Sequence, residues 1–267
     1  MQPTARYNRG APAIPNDEHM TPESAATAPR VAYFGLNTEG RDFVVGDVHG
    51  MFWALRGLLA DADFDATRDR LFSVGDLVDR GPESDEALNW LDLPWFFACR
   101  GNHEQFVLDS DDPEQYDLWI NHNGGQWWLA LDGEQRERFI VAFRELPLAL
   151  EVTTTAGIIG IVHADVPPQG SWDSFVKRIE AGDADAMFYA MWSRNRIAGV
   201  LSSLPVHGRV ERVYCGHTPT RAPVVVDNVH YIDTGAVYCS EGYMEARLTL
   251  VEIQPGPHRE YAFYTRR

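Results

Sequence analysis

Five segments of the chain place residues able to hold a metal ion directly behind a glycine or an apolar run. They are GDVHG (Gly46 to Gly50), GDLVDRG (Gly75 to Gly81), RGNHE (Arg100 to Glu104), IVHAD around His163 and YCGHTP around His217. Together they supply Asp47, His49, Asp76, Asn102, His103, His163 and His217. A single histidine at a strand end is ordinarily a satisfied turn residue, but five endings of one kind point to one site. Carboxylate, imidazole and amide donors without thiolate suit borderline or hard divalent ions such as manganese, iron or zinc. GDLVDRG adds a second aspartate, Asp79, and Arg80; the plain alternative for Asp79 is a helix cap ahead of Gly81 and Pro82.

The elements that must position these residues are legible in the hydrophobic pattern. RDFVVG, DRLFSVG and PWFFACRG read as three strands, and between them MFWALRGLLADADF and GPESDEALNWLDL read as helices, the second opened by Pro82. Strands alternating with helices imply parallel βαβ units, whose sites form outside the carboxyl ends of the strands, where the motifs fall. Residues 103 to about 145 read as largely helical, interrupted at NHNGGQWW. LPLALEVTTTAGIIGIVHAD suggests two strands around a turn, and SWDSFVKRIEAGDADAMFYAMWSRNRI helix and loop. VERVYCG, PVVVDNVHYIDTG, ARLTLVEI and REYAFY return to strands, with a hairpin turn at DN. Trp127 and Trp128 read as core. Residues 1–30, with five prolines and no apolar periodicity, read as a disordered tail, and 31–267 as one domain.

Composition narrows the functional classes. A net charge of -16 repels nucleic acid and anionic membrane surfaces, so an anionic substrate must be drawn in locally. No run approaches the roughly 18 consecutive apolar residues of a membrane span, and no signal-peptide pattern opens the chain. Cys99, Cys215 and Cys239 show no CxxC spacing and suit a reducing compartment. These features place the protein in the cytoplasm, away from nucleic acid and membrane.

GDVHG, GDLVDRG, RGNHE, HAD and GHT, in this order, resemble the signature of the phosphoprotein phosphatase family of calcineurin-like metallophosphoesterases, most closely its bacterial and phage serine/threonine phosphatases. The resemblance covers about residues 41 to 240. It implies an α/β fold, a four-layer α/β/β/α sandwich of two mixed sheets, in place of the single sheet that periodicity suggests. It implies Asp47 and His49 on a first metal, Asp76 bridging to a second, and Asn102, His163 and His217 completing the second, with Mn²⁺ the expected ion and iron or zinc the alternatives. A hydroxide activated by the two metals would then attack phosphorus in line, with His103 as general acid and Asp79 orienting it.

Arg80 would bind the phosphoryl oxygens, joined by Arg194 of WSRNR, with Arg196 as the competing choice. Arg100 reads equally as a structural ion pair and as a substrate contact. NHNGGQWW resembles a substrate-side loop of the bacterial branch, and equally a plain turn. The implied function is a metal-dependent serine/threonine phosphatase acting on a phosphorylated protein or peptide, with phosphorylated small molecules as the wider class. A symmetrical dinucleoside tetraphosphatase is the first alternative. In that branch a small residue typically stands at the Asp79 position and GNHD replaces GNHE. A phosphopeptide-binding protein without activity should lack a ligand or the acid, and this chain lacks none of them.

Overall fold

The computed structural model describes residues 28–200, 204–238, 246–255 and 258–264, so most of the tail expected over 1–30 lies outside the described residues. Two sheets form the centre. The first contains β2 (Asp42–Val45), β3 (Arg70–Ser73) and β4 (Phe96–Ala98), parallel to one another. It is extended by the antiparallel strands β10 (Arg247–Gln254) and β11 (Arg259–Tyr264), in the order β11-β10-β2-β3-β4. The second runs β1-β5-β6-β7-β9-β8, from β1 (Val31–Phe34), β5 (Ala149–Thr154), β6 (Gly157–Val162), β7 (Val210–Cys215), β8 (Val224–Val226) and β9 (Val229–Tyr231).

Strand alternation makes three cores from these two sheets. In β2, Phe43 and Val45 face one way and Val44 the other, and all are fully buried. The Val44 face joins Phe72, Leu150, Val152, Ile159, Ile161, Tyr214 and Val251 in an apolar layer between the sheets. The Phe43 face is covered by α1 (Phe52–Asp61), α2 (Ala87–Leu91), α3 (Asn102–Leu108), α4 (Pro113–His122) and α5 (Gly133–Glu145). The outer face of the second sheet is covered by α6 (Trp172–Glu180) and α7 (Ala184–Trp192). The result is the expected four-layer α/β/β/α sandwich with two mixed sheets.

Two local readings change. β1 precedes the predicted strands and pairs in parallel with β5, Val31 opposite Ala149. The helix expected to open at Pro82 begins later, as a 3₁₀ turn over Ser84–Glu86 that leads into α2. Pro82 lies instead in a loop held by the first motif and by Ser84: Glu83 N–H donates to the Gly50 carbonyl (3.0 Å) and Asp79 N–H to the Ser84 hydroxyl (2.9 Å).

Candidate metal centre and active site

The five motifs follow the carboxyl ends of β2, β3, β4, β6 and β7, so both sheets deliver residues to one edge of the sandwich. Their backbones are tightly bent. His49, Asp76, Asp79, Arg80 and His217 all hold positive φ, between 44° and 74°, a conformation that persists only where the surroundings enforce it. Here hydrogen bonds do so. The Asp76 carbonyl accepts from His49 N–H (2.8 Å) and Val48 N–H (3.1 Å), and Leu77 O from Gly50 N–H (2.8 Å). Glu104, fully buried, pins the second motif to the third: its carboxylate accepts from the backbone N–H of Asp76 (2.9 Å), Leu77 (2.7 Å) and Gly101 (2.8 Å). Gly101 must be glycine, because a Cβ there would stand 2.2 Å from Asp76 Oδ1.

Two groups of ligand atoms lie within 4.8 Å of one another: His49, Asp76 and His103, and Asp76, His163 and His217. Asp76 belongs to both. The tautomers of the histidines follow from their neighbours. His163 Nδ1 faces the Val74 carbonyl (2.8 Å), His217 Nε2 the Trp192 carbonyl (3.1 Å) and His49 Nδ1 the Val78 carbonyl (2.8 Å), so each spends its N–H on backbone. The remaining lone pairs of His163 Nε2 and His217 Nδ1 then point at each other across 3.2 Å and at Asn102 Oδ1, at 2.9 and 2.8 Å. Three acceptors meeting with no hydrogen between them are reconciled by a cation. The donor set therefore fits a divalent metal ion.

Electrostatics agree. Burial, then Arg80 and His103, hold His49 well below the ordinary imidazole range, and burial, then His163 and Arg194, do the same to His217, so both stay neutral and able to ligate. His163 differs: burial opposes its charge, yet Asp76, 3.3 Å from Nε2, outweighs that and raises it, so without a cation a proton on Nε2 can serve in its place. Asp47 is pushed well up by burial, Asp233 and Asp76, and Asp233 to about 6, mainly by burial. A buried cluster of carboxylates wanting positive charge is what a dication relieves. Asp47 stands outside both 4.8 Å groups; its oxygens accept from His217 N–H at 2.9 and 3.2 Å, tying the first motif to the last.

Behind this cluster sits Asp79, fully buried and capping no helix. Its Oδ2 lies 2.5 Å from His103 Nδ1, which leaves His103 Nε2 directed at Asp76 Oδ2, 3.9 Å away. Both Asp79 oxygens also accept indole N–H groups, Oδ2 from Trp119 (2.7 Å) and Oδ1 from Trp127 (2.5 Å). Trp127 thus reaches the site while also packing in the core, and NHNGGQWW is a support for GDLVDRG: the Gly124 carbonyl accepts Arg80 N–H (3.2 Å).

The arginines separate. Arg80 is exposed at the cluster, its guanidinium 2.7 Å from His49 Nε2 and 5.8 Å from the Tyr238 ring. Arg194 is exposed beside the cluster, donating to the His217 carbonyl (3.2 Å). Arg196 is buried elsewhere, paired with Asp165 (3.3 Å) and Asp227 (3.3 Å) and bonded to the Leu204 carbonyl. Arg100 makes no ion pair among the described residues, but its guanidinium supports the loop by binding the backbone carbonyls of Arg144 (2.7 Å) and Leu146 (3.2 Å) and Gln105 Oε1 (3.3 Å).

Four further side chains, Glu104, Trp119, Trp127 and Asp233, contribute to the site, Trp127 beyond the core role its sequence suggests. Asp233 carries a usable signal, since YIDTG repeats the pattern of a strand running into a carboxylate and a glycine. Glu104 lies inside a quoted motif, and only its distance of 28 residues from Asp76 hid its work. The indoles gave no local sign.

Two mixed sheets whose strand ends converge on imidazoles, carboxylates and an amide define a metal-binding α/β sandwich. The sequence model of the calcineurin-like phosphoesterases matches residues 43–234, and the chain belongs to that family. It is 38% identical over 215 residues to serine/threonine-protein phosphatase 1 of Salmonella typhimurium, covering 79% of this chain and 91% of the relative. It is 36% identical over 135 residues to a symmetrical bis(5'-nucleosyl)-tetraphosphatase of a Shewanella species, covering 49% of this chain and 46% of that one. A solved protein serine/threonine phosphatase of Saccharomyces cerevisiae shares the fold with a TM-score of 0.57 at 16% identity, over 88% of this chain and 84% of that chain.

Proposed function

We propose that this protein is a metal-dependent phosphomonoester hydrolase acting on phosphoserine and phosphothreonine in proteins, with Asp47, His49 and Asp76 holding one divalent cation and Asp76, Asn102, His163 and His217 a second. Manganese suits the nitrogen and oxygen donors, with iron or zinc as alternatives. Such a pair of ions, when bound, supplies positive charge to the phosphoryl oxygens and acidifies water at neutral pH.

The chain's own residues account for the rest. Arg80 and Arg194, exposed on either side of the cluster, bind the phosphoryl oxygens with planar guanidinium groups and draw an anion into an acidic protein. His103 donates the proton on Nε2 to the seryl or threonyl oxygen as the P–O bond to that oxygen breaks. Asp79 holds Nδ1–H and so fixes which nitrogen faces the substrate. Cys99 and Cys215, buried free thiols among the described residues, suit a cytoplasmic protein.

The observation that carries this reading is the 2.5 Å contact between Asp79 and His103. A serine alkoxide is a strong base and leaves poorly without a proton, whereas a nucleotide phosphate leaves readily, so an oriented acid is useful against the first. The long match to a protein phosphatase and the half-length match to a dinucleoside tetraphosphatase support the same choice. The test compares kcat/KM for phosphoserine, phosphothreonine and phosphotyrosine peptides with diadenosine tetraphosphate on Mn²⁺-loaded protein. Phosphoserine and phosphothreonine peptides are expected to lead; a preference for the dinucleotide would replace the proposed substrate.

A further inference from the structure

Asp79 is held by more than the histidine it orients. Trp119 on α4 and Trp127 in the 3₁₀ turn Gly125–Ala130 come from a segment 40 and 48 residues further along the chain, and each gives its single N–H to a different oxygen of this one carboxylate. An indole N–H only donates, so neither contact can invert. The rings themselves are immobilised on the far side. Trp119 is fully buried and packs edge-on against Trp127 (6.5 Å) and tilted against Trp128 (5.4 Å), and Trp127 packs edge-on against Phe139 (4.9 Å). The Gly125 position presses on the Trp119 ring, where a Cβ would come within 2.6 Å. Asp79 N–H is taken by Ser84, so the residue is fixed at backbone and at both oxygens.

We infer that Trp119 and Trp127 are positioning residues for the acid: by fixing the plane of the Asp79 carboxylate they aim His103 Nε2 at the leaving oxygen, and they thereby set how far the enzyme tolerates a strongly basic leaving group. This rests on the reading of His103 as general acid. Tryptophans serving the core alone would be replaceable by phenylalanine with no effect specific to one substrate. Tryptophans clamping Asp79 are not, because the N–H is what phenylalanine lacks. The clamp also gives the helical layer a direct hand in the chemistry, since the indoles belong to the cluster that covers the first sheet.

The test uses Trp127→Phe, which keeps a ring at a half-buried position, with His103→Asn and the double variant, all Mn²⁺-loaded, on a phosphoserine peptide and on p-nitrophenyl phosphate. Trp127→Phe is expected to lower kcat on the peptide about tenfold more than on the aryl phosphate, with KM for each within about twofold. In the His103→Asn background the same substitution should leave the peptide-to-aryl ratio unchanged, because the clamp acts only through that histidine. Trp119→Phe should move the ratio in the same direction; should this fully buried change fail to fold, Trp127→Phe decides alone. Equal losses on both substrates from Trp127→Phe, or an undiminished effect in the His103→Asn background, would overturn the clamp while leaving the acid intact. Equal losses from His103→Asn itself would remove the acid reading and the clamp with it.

Discussion

Replacing Glu104 by glutamine tests the joint between the second and third motifs, and its cost can be worked from three contacts. Oε2 accepts from Asp76 N–H and Gly101 N–H, and Oε1 from Leu77 N–H at 2.7 Å. A glutamine oxygen can keep the first two, but its NH₂ then meets the Leu77 N–H, leaving a buried donor unpaired at about 1–3 kcal/mol. The two surviving bonds fall from charged to neutral acceptors, a loss of about 1 kcal/mol more. Neutralisation also has a gain, because burial and the neighbouring Asp76 push the Glu104 carboxyl up and so oppose its charge. The net expectation is about 2–3 kcal/mol of lost stability, or a Tm lower by about 5–10 °C for a chain of this size. Asp76, with its own N–H now held by a neutral acceptor and the adjacent Leu77 N–H unanchored, should also hold metal about 10- to 100-fold more weakly, as for other lost supports of metal ligands. Thermal unfolding of metal-free protein and calorimetric titration with Mn²⁺ measure both. A Tm change below about 2 °C together with unchanged Mn²⁺ affinity would refute the reasoning.

Further outcomes follow from other contacts. Arg194→Ala should raise KM for a phosphoserine peptide about tenfold with little change in Tm, whereas Arg196→Met should cost about 3–5 kcal/mol of stability by stranding Asp165; substrate titration and urea unfolding separate them. Gly101→Ala should lower Tm and Mn²⁺ affinity together, since its Cβ would displace Asp76 Oδ1. His230 is held down to about 4 by burial, His258 and Arg212. The unfolded chain therefore binds a proton between about pH 6.5 and 4 that the folded chain refuses, and stability falls as pH drops through that window. His230→Gln should flatten the fall of Tm there by a few degrees, read by thermal scans across the window.

The residues proposed as metal ligands stood out because each lies just past a strand: a buried apolar run, in four of the five segments a glycine, and a ligand-type residue are close in sequence as well as in space. The two-sheet architecture was not in the periodicity, since both faces of β2 are apolar and nothing local says which face meets helices and which meets another sheet. It came with the resemblance. Pro82 misled because its φ suits a helix start, while the tie of Glu83 to Gly50 is tertiary. The supports of Asp79 and Asp76 were hidden for the same reason. Trp119, Trp127 and Glu104 are ordinary apolar or capping residues by pattern, and only the folded chain aims their polar atoms. Arg194 and Arg196, two residues apart, could not be told apart until Asp165 was seen to occupy one of them.

Asp76, shared by two groups of histidines, is proposed as the middle of a metal site that hydrolyses phosphate esters. The most direct test is p-nitrophenyl phosphate hydrolysis by protein dialysed against a chelator, then titrated with Mn²⁺ while bound metal is counted. Activity should vanish in the metal-free protein and return as the metal content approaches two ions per chain, with Asp76→Asn failing to recover it. Hydrolysis that persists in protein shown to be metal-free would exclude that role for the site.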